Sequence, residues 1–340
     1  MITAIVGMGV LLIVVAGLYA ILEIRYRSGC RRVEAEWQHR SVAPLTHIGS
    51  TRTLEILPLV DWYPARPDLH GEAGVSYLIK TDRATVLLDV GLNMRGTDPS
   101  PLEDNMRKLG IGSQDIDIIV ISHKHIDHVG GLRWLRRGTF SLGNAQPELG
   151  GKRLVVPVPM DYPGNRPQVT PLPTVLAPGI ATTGTISSQL FLGRVDEQAV
   201  AVHVEGKGIV LVVGCGHQTL PKLLTRAKEL FGEPLYGIVG GLHFPVPHGR
   251  ITLAGMDLQN FVVFGLTHVP SRPQVLAQIG HLAEHDPRWI SVSAHDSSDE
   301  IIEQFRRAFG DRFHDLRVGE WQCIARPATP LRQAGAQQAA

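Results

Sequence analysis

The longest apolar segment of the chain covers residues 2–24, in which Glu23 is the only charged side chain. A helix needs about 20 apolar residues to cross a bilayer. Four arginines follow between residues 25 and 32, and no basic residue precedes the run. The positive-inside rule therefore predicts a single-pass anchor of the cytoplasmic (inner) membrane, with the rest of the chain facing the cytoplasm. A cleaved signal peptide is disfavoured because no basic segment precedes the run, and a buried core helix because the run has no polar face.

Shorter apolar runs and amphipathic segments alternate along the rest of the chain. Runs typical of strands cover residues 53–60, 75–80, 85–90, 116–121, 209–213, 235–239 and 289–294. Apolar side chains at helical spacing predict helices over residues 98–109, 220–231 and 299–309, each followed by a glycine. This alternation is typical of a mixed α+β or α/β protein. We predict a transmembrane anchor (1–24), a juxtamembrane connector (25–50), a catalytic domain (51–325) and a disordered tail (326–340).

Composition narrows the possible functions. The net charge of +1 and the lack of a Lys/Arg-rich block in the predicted catalytic region argue against a nucleic-acid partner. Cys30, Cys215 and Cys323 are odd in number and far apart, so they predict neither a disulfide framework nor a zinc-thiolate site. This pattern fits a reducing compartment. For Cys215, a small buried residue is favoured over a nucleophile, because no base adjoins it in sequence.

One short segment carries four side chains of the kinds that bind metals. His123, His125, Asp127 and His128 lie within six residues, between a predicted strand and a predicted helix start. Imidazole and carboxylate ligands together suit zinc, manganese or iron. A solvated, His-rich turn is the alternative. The close spacing, followed by two glycines at a strand-to-helix junction, favours a two-metal site.

The pattern His-x-His-x-Asp-His resembles the signature of the metallo-β-lactamase fold superfamily, and this resemblance implies a four-layer αββα sandwich. It also implies one metal bound by His123, His125 and His217, and a second bound by Asp127, His128 and His295. His217 ends the sequence Gly-Cys-Gly-His after a predicted strand, and His295 follows the last predicted strand. We therefore expect two divalent metal ions, zinc first, with manganese or iron as alternatives.

Three further residues are expected to support this site. His243 stands near a strand end where many members of the superfamily carry a bridging Asp, and it is expected either to bind a metal or to hydrogen-bond the substrate. Asp89 is expected to orient a metal-bound histidine by hydrogen bonding, with a plain turn residue as the alternative. Glu72 is expected to support the metal ligands in the same way.

Several stretches between residues 53 and 325 resemble one subgroup, the 7,8-dihydropterin-6-methyl-4-(β-D-ribofuranosyl)aminobenzene-5'-phosphate synthase-like proteins. They are residues 72–79, 176–184, 214–217, 240–244 and 309–319. Two departures limit what this resemblance implies. Asp-Ser-Ser follows His295 where the subgroup has Cys-Thr-Gly, and the chain is longer than the subgroup between His243 and Trp289. This insertion, around residues 250–270, is expected to add to the core; a lid or a membrane-facing patch is the alternative.

Together these features predict a membrane-anchored binuclear metallohydrolase, in which a metal-bridging hydroxide attacks a phosphoester or related ester of a small molecule. Asp127 is the expected catalytic residue, which orients the water or accepts its proton. One alternative is a transferase of the dihydropterin-diphosphate type, which uses the metals to hold pyrophosphate. A mononuclear iron oxygenase of the same fold and a non-catalytic metal-binding module tethered to the membrane are the others. The expected partners are a small-molecule substrate and the membrane.

Overall fold

The computed structural model describes the backbone of residues 2–326 and the side chains of residues 7–326. The predicted disordered tail, apart from Arg326, lies outside the described residues. The helices are α1 (Ile2–Gln38), α2 (Pro101–Lys108), α3 (Leu132–Arg136), α4 (Leu220–Leu230), α5 (Leu258–Phe264), α6 (Arg272–Glu284) and α7 (Asp299–Phe309).

Seventeen strands are found among the described residues. They are β1 (Leu54–Val60), β2 (Ser76–Thr81), β3 (Thr85–Leu88), β4 (Ile118–Val120), β5 (Arg153–Val156), β6 (Gln168–Val169), β7 (Thr174–Ala177), β8 (Ile180–Thr182), β9 (Ile186–Leu190), β10 (Gly193–Glu197), β11 (Val200–Val204), β12 (Gly208–Val213), β13 (Leu235–Gly240), β14 (Thr252–Leu253), β15 (Met256–Asp257), β16 (Trp289–Val292) and β17 (Gln322–Ala325).

Helix α1 is longer than the predicted anchor, since it continues through most of the predicted connector to Gln38. No proline interrupts residues 25–38, and the side chains of Glu23 and Arg27 pair one turn apart at 2.6 Å. The apolar part of the helix is long and apolar enough to cross a membrane. Its large apolar side chains between Met8 and Leu18 are exposed, whereas Tyr19 contacts the folded domain.

Two sheets pack face to face with helices outside them. The first has the strand order β17-β1-β2-β3-β4-β5-β6 and the second β16-β13-β12-β11-β8-β7. An apolar core that includes Tyr77 and Val120 of the first sheet and Val202 and Val212 of the second fills the space between them. Helix α2 covers the outer face of the first sheet, and α4, α6 and α7 cover the outer face of the second. The fold is the expected layered sandwich.

Parallel strand pairing brings the predicted site loops together. Strands β12, β13 and β16 are parallel neighbours in the second sheet, and β3 and β4 are parallel in the first. Because parallel strands end at the same edge of a sheet, the segments after these strands converge there. These segments contain Asp89, His123, His217, His243 and His295.

Apart from α1, the boundaries of the predicted helices and strands move by at most three residues, and α7 has the predicted boundaries. The predicted helix 98–109 begins at Pro101, because Ser100 caps it: the Ser100 hydroxyl accepts from the backbone N–H of Glu103, and the Glu103 carboxylate accepts from the Ser100 N–H. Leu109 lies just beyond the helix end. The proline-rich segment at residues 157–178 contains the short strands β6 and β7.

The insertion around residues 250–270 forms the β14–β15 hairpin and α5. Its buried Val263 packs in a small cluster with Leu190 and Val195 of the β9–β10 hairpin, separate from the main core. The insertion therefore adds to the buried core, as expected, but as a small cluster of its own. The α5 segment also lies beside α1, where the backbone N–H of Leu266 donates to the hydroxyl of Tyr19.

Candidate metal centre

Six histidine rings form one contiguous cluster at the shared edge of the two sheets. The centroid of the His123 ring lies 4.5 Å from that of His125, 4.0 Å from that of His128 and 5.0 Å from that of His217. The ring of His295 is 5.6 Å from that of His128, and the ring of His243 is 4.4 Å from that of His217. The structure thus brings together all six histidines singled out in the sequence.

Asp89 orients two of these rings. The backbone N–H and the hydroxyl of Ser122 both donate to its carboxylate, at 2.7 and 2.6 Å. The same hydroxyl lies 2.9 Å from His123 Nδ1, and His128 Nδ1 lies 2.8 Å from the Asp89 carboxylate. With Nδ1 hydrogen-bonded, Nε2 of each ring is left to face the cluster. Asp89 has the orienting position that the sequence predicts, and it also acts on His123 through Ser122.

A second relay of the same kind, which the sequence analysis did not find, holds His295. The Ser293 hydroxyl donates to the buried Asp61 carboxylate at 2.6 Å and lies 2.6 Å from His295 Nδ1. Asp61 also accepts from the Tyr77 hydroxyl at 2.7 Å. Asp61 directly follows β1, so its acidic side chain at a strand end was the available sequence signal.

Buried Glu197 shapes the loop that carries His217. Its carboxylate accepts from the backbone N–H groups of Cys215, Gly216 and His217, at 2.9, 2.9 and 2.7 Å. Burial raises the pKa of Glu197 to about 7, although these hydrogen bonds oppose the rise. The tight turn also needs a glycine at position 214, where an added Cβ would collide with the hydroxyl of Ser122. Sequence analysis did not identify Glu197, because its partners follow it by about twenty residues.

Cys215 lies at the centre of the cluster. Its sulfur belongs to three groups of side chains whose ligand atoms lie within 4.8 Å of one another: with His123 and His217, with His128 and His295, and with His243 and Asp296. The sulfur is 3.3 Å from His243 Nδ1. Cys215 is buried, as predicted, but its surroundings are metal-ligand side chains.

His243 is held by its backbone. The His243 N–H donates to the Asp296 carboxylate at 3.0 Å, and the residue adopts a left-handed conformation with φ of 53°, which is uncommon for a side chain of this size. The ring therefore points into the cluster from a constrained turn. The geometry is compatible with both predicted roles, a metal ligand and a substrate contact.

Five of the six clustered rings favour the neutral form. Burial, reinforced by repulsion among the rings, lowers the pKa of His123, His217 and His295 well below the usual value. Burial also lowers the pKa of His125 and lowers that of His243 to about 3. Neutral imidazole is the form that binds metal ions.

Asp127 and His128 form a charged pair within this cluster. Burial acts against charge on both side chains, but their attraction dominates. It lowers the pKa of Asp127, and together with Asp89 it raises the pKa of His128 well above the usual value. His128 Nε2 lies 3.5 Å from the Asp127 carboxylate, which is half-buried. Asp127 therefore presents a carboxylate to the cluster.

Four buried ring nitrogens have no hydrogen-bond partner among the described residues. They are Nε2 of His128, His243 and His295, and Nδ1 of His217. Leaving a polar atom buried without a partner costs about 1–3 kcal/mol, so several such nitrogens in one cluster fit a metal-binding site. Divalent ions would bind these nitrogens, and the donor set of imidazoles, one carboxylate and one thiol fits zinc or a neighbouring transition metal.

Glu72 does not contact a histidine. Its carboxylate accepts from the backbone N–H groups of Leu92 and Asn93, at 2.7 and 3.0 Å. It therefore fixes the loop that follows β3 and Asp89. The expected contact with a metal ligand is corrected to a contact with this loop.

Two cavities lie near the cluster. The larger, of about 800 Å³, is lined by Trp62, Glu72, Arg95 and Arg250 but by none of the clustered histidines. The smaller, of about 280 Å³, is lined by His217 and His243 and extends to α1 and α5. The smaller cavity reaches the candidate metal centre directly, so it is the better candidate for substrate access.

Comparisons with known proteins agree with this geometry. The family model described as the metallo-beta-lactamase superfamily matches residues 71–140. Over 242 residues, 58% of this chain and 80% of the relative, the sequence is 26% identical to a Methanocaldococcus jannaschii protein, the 7,8-dihydropterin-6-methyl-4-(beta-D-ribofuranosyl)-aminobenzene-5'-phosphate synthase.

One solved structure shares the fold, and a second is a weaker match. Tm1679, described as a metal-dependent hydrolase of the beta-lactamase superfamily, is 19% identical with a TM-score of 0.55, covering 80% of this chain and all of that one. YhfI of Bacillus subtilis, described as a metallo-beta-lactamase fold protein, is 12% identical with a TM-score of 0.46, covering 80% of this chain and 99% of that one.

Proposed function

We propose that this chain is a membrane-anchored binuclear metallohydrolase of the metallo-β-lactamase superfamily, acting on a phosphoester or related ester. The observation that carries this proposal is the buried cluster of six histidines with four unpartnered ring nitrogens. A non-catalytic metal-binding module is the less favoured alternative, because a cavity of about 280 Å³ leads to two of these histidines.

The residues divide into two proposed metal-binding groups. His123, His125 and His217 would bind one ion, and Asp127, His128 and His295 the other. Cys215 lies in one ligand group with His123 and His217 and in another with His128 and His295. We therefore propose that it would contribute a ligand to both ions, in place of the bridging Asp that many members of the superfamily carry. His243 is the additional candidate ligand on the side of the cavity.

Two divalent ions bound there would lower the pKa of a water molecule and polarise an ester oxygen. The protein supplies the remaining functions. The Asp127 carboxylate, which its lowered pKa keeps ionised, is placed to orient the attacking water or to accept its proton. Asp89 and Asp61, through their serines, hold His123 and His295 in one tautomer and one orientation.

A synthase is the second candidate function. The similarity to the Methanocaldococcus jannaschii protein, which is named as a synthase, favours it. In such a reaction the same two ions would hold a pyrophosphate leaving group. The sequence after His295 and the insertion around residues 250–270 both differ from the pattern of that subgroup. Both also lie close to His243, whose N–H donates to Asp296 and whose ring is 6.0 Å from that of Phe264. For this reason we place hydrolysis first.

Metal content and activity of the full chain in detergent micelles test the function. We expect about two equivalents of zinc, with manganese or iron as alternatives, and hydrolysis of bis(4-nitrophenyl) phosphate. His123→Ala and His295→Ala should each lose part of the metal, while His314→Ala, a ring stacked on Trp289 away from the cluster, should retain it. One equivalent of iron would indicate an oxygenase. Folded protein without stoichiometric metal would contradict the proposed enzyme function.

The anchor is a separate proposal. We propose that α1 spans the cytoplasmic membrane with the folded domain on the cytoplasmic side, because four arginines follow its apolar part. The protein should stay in the membrane pellet after alkaline carbonate extraction. A C-terminal epitope should be cleaved by protease in inverted vesicles and protected in spheroplasts. Release by carbonate, or the opposite protease pattern, would contradict the anchor or its orientation.

A further inference from the structure

The insertion contacts α1 where the apolar part of that helix ends. The Tyr19 ring lies 5.3 Å from the ring of Phe191, and the Tyr19 hydroxyl accepts from the N–H of Leu266 at 3.2 Å. One turn later, His268 Nε2 lies 2.8 Å from the Glu23 carboxylate. These contacts fix the position of the folded domain along the axis of α1.

If α1 spans the membrane as proposed above, these contacts lie at the surface of the bilayer. At about 1.5 Å per residue, the apolar run of residues 2–24 is about 34 Å long, slightly more than the hydrocarbon core of about 30 Å. Tyr19 and Glu23 lie in its last turns, where tyrosine is typical of the membrane interface. Any side chain beside them is at the same level.

Exposed leucines surround this contact. Leu266, next to Tyr19, is 65% exposed, and Leu192, next to Phe191, is 52% exposed. Val262 is also exposed, and its carbonyl accepts from the N–H of Leu192. Because these apolar side chains continue the apolar surface of α1, a bilayer that contains α1 would cover them as well.

The smaller cavity connects this level with the histidine cluster. Tyr26 and Val33 of α1 line one side of it, and Val263 and Phe264 of α5 line the other. Tyr26 packs on His268 at a ring distance of 4.7 Å, so this end of the cavity lies directly below the membrane-level contact. At the other end, the Phe264 ring is 6.0 Å from the ring of His243. The volume of about 280 Å³ is close to the lower limit of about 300 Å³ for ligand pockets.

We propose that the substrate is a membrane-resident amphiphile with a single ester or phosphoester head group, which enters from the bilayer between α1 and α5. Its head group reaches His217 and His243, and its apolar chain remains between Tyr26 and Phe264. The proposal rests on the hydrolase function above and adds the class of substrate. A fully water-soluble substrate would not need an entrance formed by α1.

Two substrates presented to the full chain in phosphatidylcholine–phosphatidylglycerol nanodiscs test this entry route. They are 4-nitrophenyl dodecyl phosphate and the soluble bis(4-nitrophenyl) phosphate. We expect kcat/KM to be at least tenfold higher for the dodecyl ester. Val263→Trp, which fills the cavity, should reduce the ratio of the two values at least tenfold. Leu172→Trp, which adds similar bulk on the exterior, should leave the ratio unchanged.

A second measurement does not depend on activity. Tryptophan placed at Leu266 should be quenched by phosphatidylcholine with brominated acyl chains, beyond the quenching seen in the wild-type protein. Leu172→Trp is the matched control, because Leu172 is 64% exposed and lies far from this level. The carbonyl of the neighbouring Pro171 accepts from the N–H of Thr185, just before β9. At that end of β9, Arg194 contacts both Ser187 and Glu36, and Glu36 lies near the end of α1 remote from Tyr19.

The outcomes separate the two proposals. Hydrolysis of the soluble diester without preference for the dodecyl ester overturns the amphiphile proposal and leaves the hydrolase in place. Absence of added quenching at residue 266 also overturns the amphiphile proposal, because the entrance would then not lie at the membrane. Hydrolysis of neither ester by metal-loaded protein overturns the hydrolase, and with it this assignment of its substrate.

Discussion

Ser293 and Asp61 join the two sheets at the candidate metal centre. Asp61 follows β1 in the first sheet and Ser293 follows β16 in the second, and the Ser293 hydroxyl lies 2.6 Å from the Asp61 carboxylate across a separation of 232 positions in sequence. Because the same hydroxyl contacts His295 Nδ1, the packing of the sheets and the orientation of a proposed ligand depend on each other. Ser122 and Asp89 form the equivalent contact for His123, so both proposed metal-binding groups contain one relay of this kind.

Ser293→Ala should weaken metal binding by about 10–100-fold, because loss of an orienting partner commonly has an effect of this size. Competition with a chelating indicator measures the affinity. Ser291→Ala is the matched control: Ser291 lies two residues earlier, in β16, is equally buried, and its hydroxyl donates to Gln322 instead. Equal losses in both variants would mean that Ser293 acts on folding rather than on His295.

Glu197→Gln should lower both metal content and thermal stability. An amide offers one acceptor oxygen where the carboxylate offers two, so at least one buried N–H of the loop at residues 215–217 would lose its partner, at a cost of about 1–3 kcal/mol. Elemental analysis and thermal unfolding measure the two effects. Glu205→Gln, an exposed carboxylate after β11, should change neither. Full metal content in Glu197→Gln would show that the loop keeps its shape without the carboxylate.

Cys215→Ser should abolish a thiolate-to-metal absorption band in the cobalt-substituted protein. Burial, together with nearby carboxylates, raises the pKa of the Cys215 thiol, so without a bound cation this thiol stays protonated. A bound cation would stabilise the thiolate. Cys323→Ser, which removes a half-buried thiol beside Glu55, should keep the band. A wild-type spectrum without the band would support the sequence-based interpretation of Cys215 as a small packing residue.

The sequence predicts the local parts of this site better than the remote ones. His123, His125, Asp127 and His128 are neighbours in sequence, so their spacing was sufficient to single them out. Glu197 and Asp61 act on segments that follow them by about 20 and by more than 200 residues, and only the strand order shows that they meet the cluster.

The fold follows the same rule. The apolar runs predicted seven of the thirteen strands in the two sheets, because these strands are largely buried. Strand β17 was not predicted. Its pairing partner β1 lies at the other end of the domain sequence, so the pairing leaves no local signal. Helix α6 has a proline at its second position and a weakly amphipathic sequence, so helical periodicity did not reveal it.

Asp104→Asn should lower stability at neutral pH but not in acid. The Asp104 carboxylate contacts the cations of Lys108 and Arg107 and lies 2.7 Å from His70 Nε2, and hydrogen bonds to Lys108 and Arg107, the largest effects, hold its pKa below the usual value. Since the folded-state pKa is lower than the unfolded-state value of about 3.9, the unfolded chain binds more protons as the pH falls. The stabilisation is therefore complete above about pH 5 and is lost as the pH falls through the folded-state pKa.

We expect thermal unfolding of Asp104→Asn about 2–4 °C below wild type at pH 7, and a smaller difference at each step below pH 4. Asp311→Asn, on the exposed turn after α7, is the control and should match wild type at every pH. A difference for Asp104→Asn that stays constant with pH would show that the charge of Asp104 does not stabilise the end of α2.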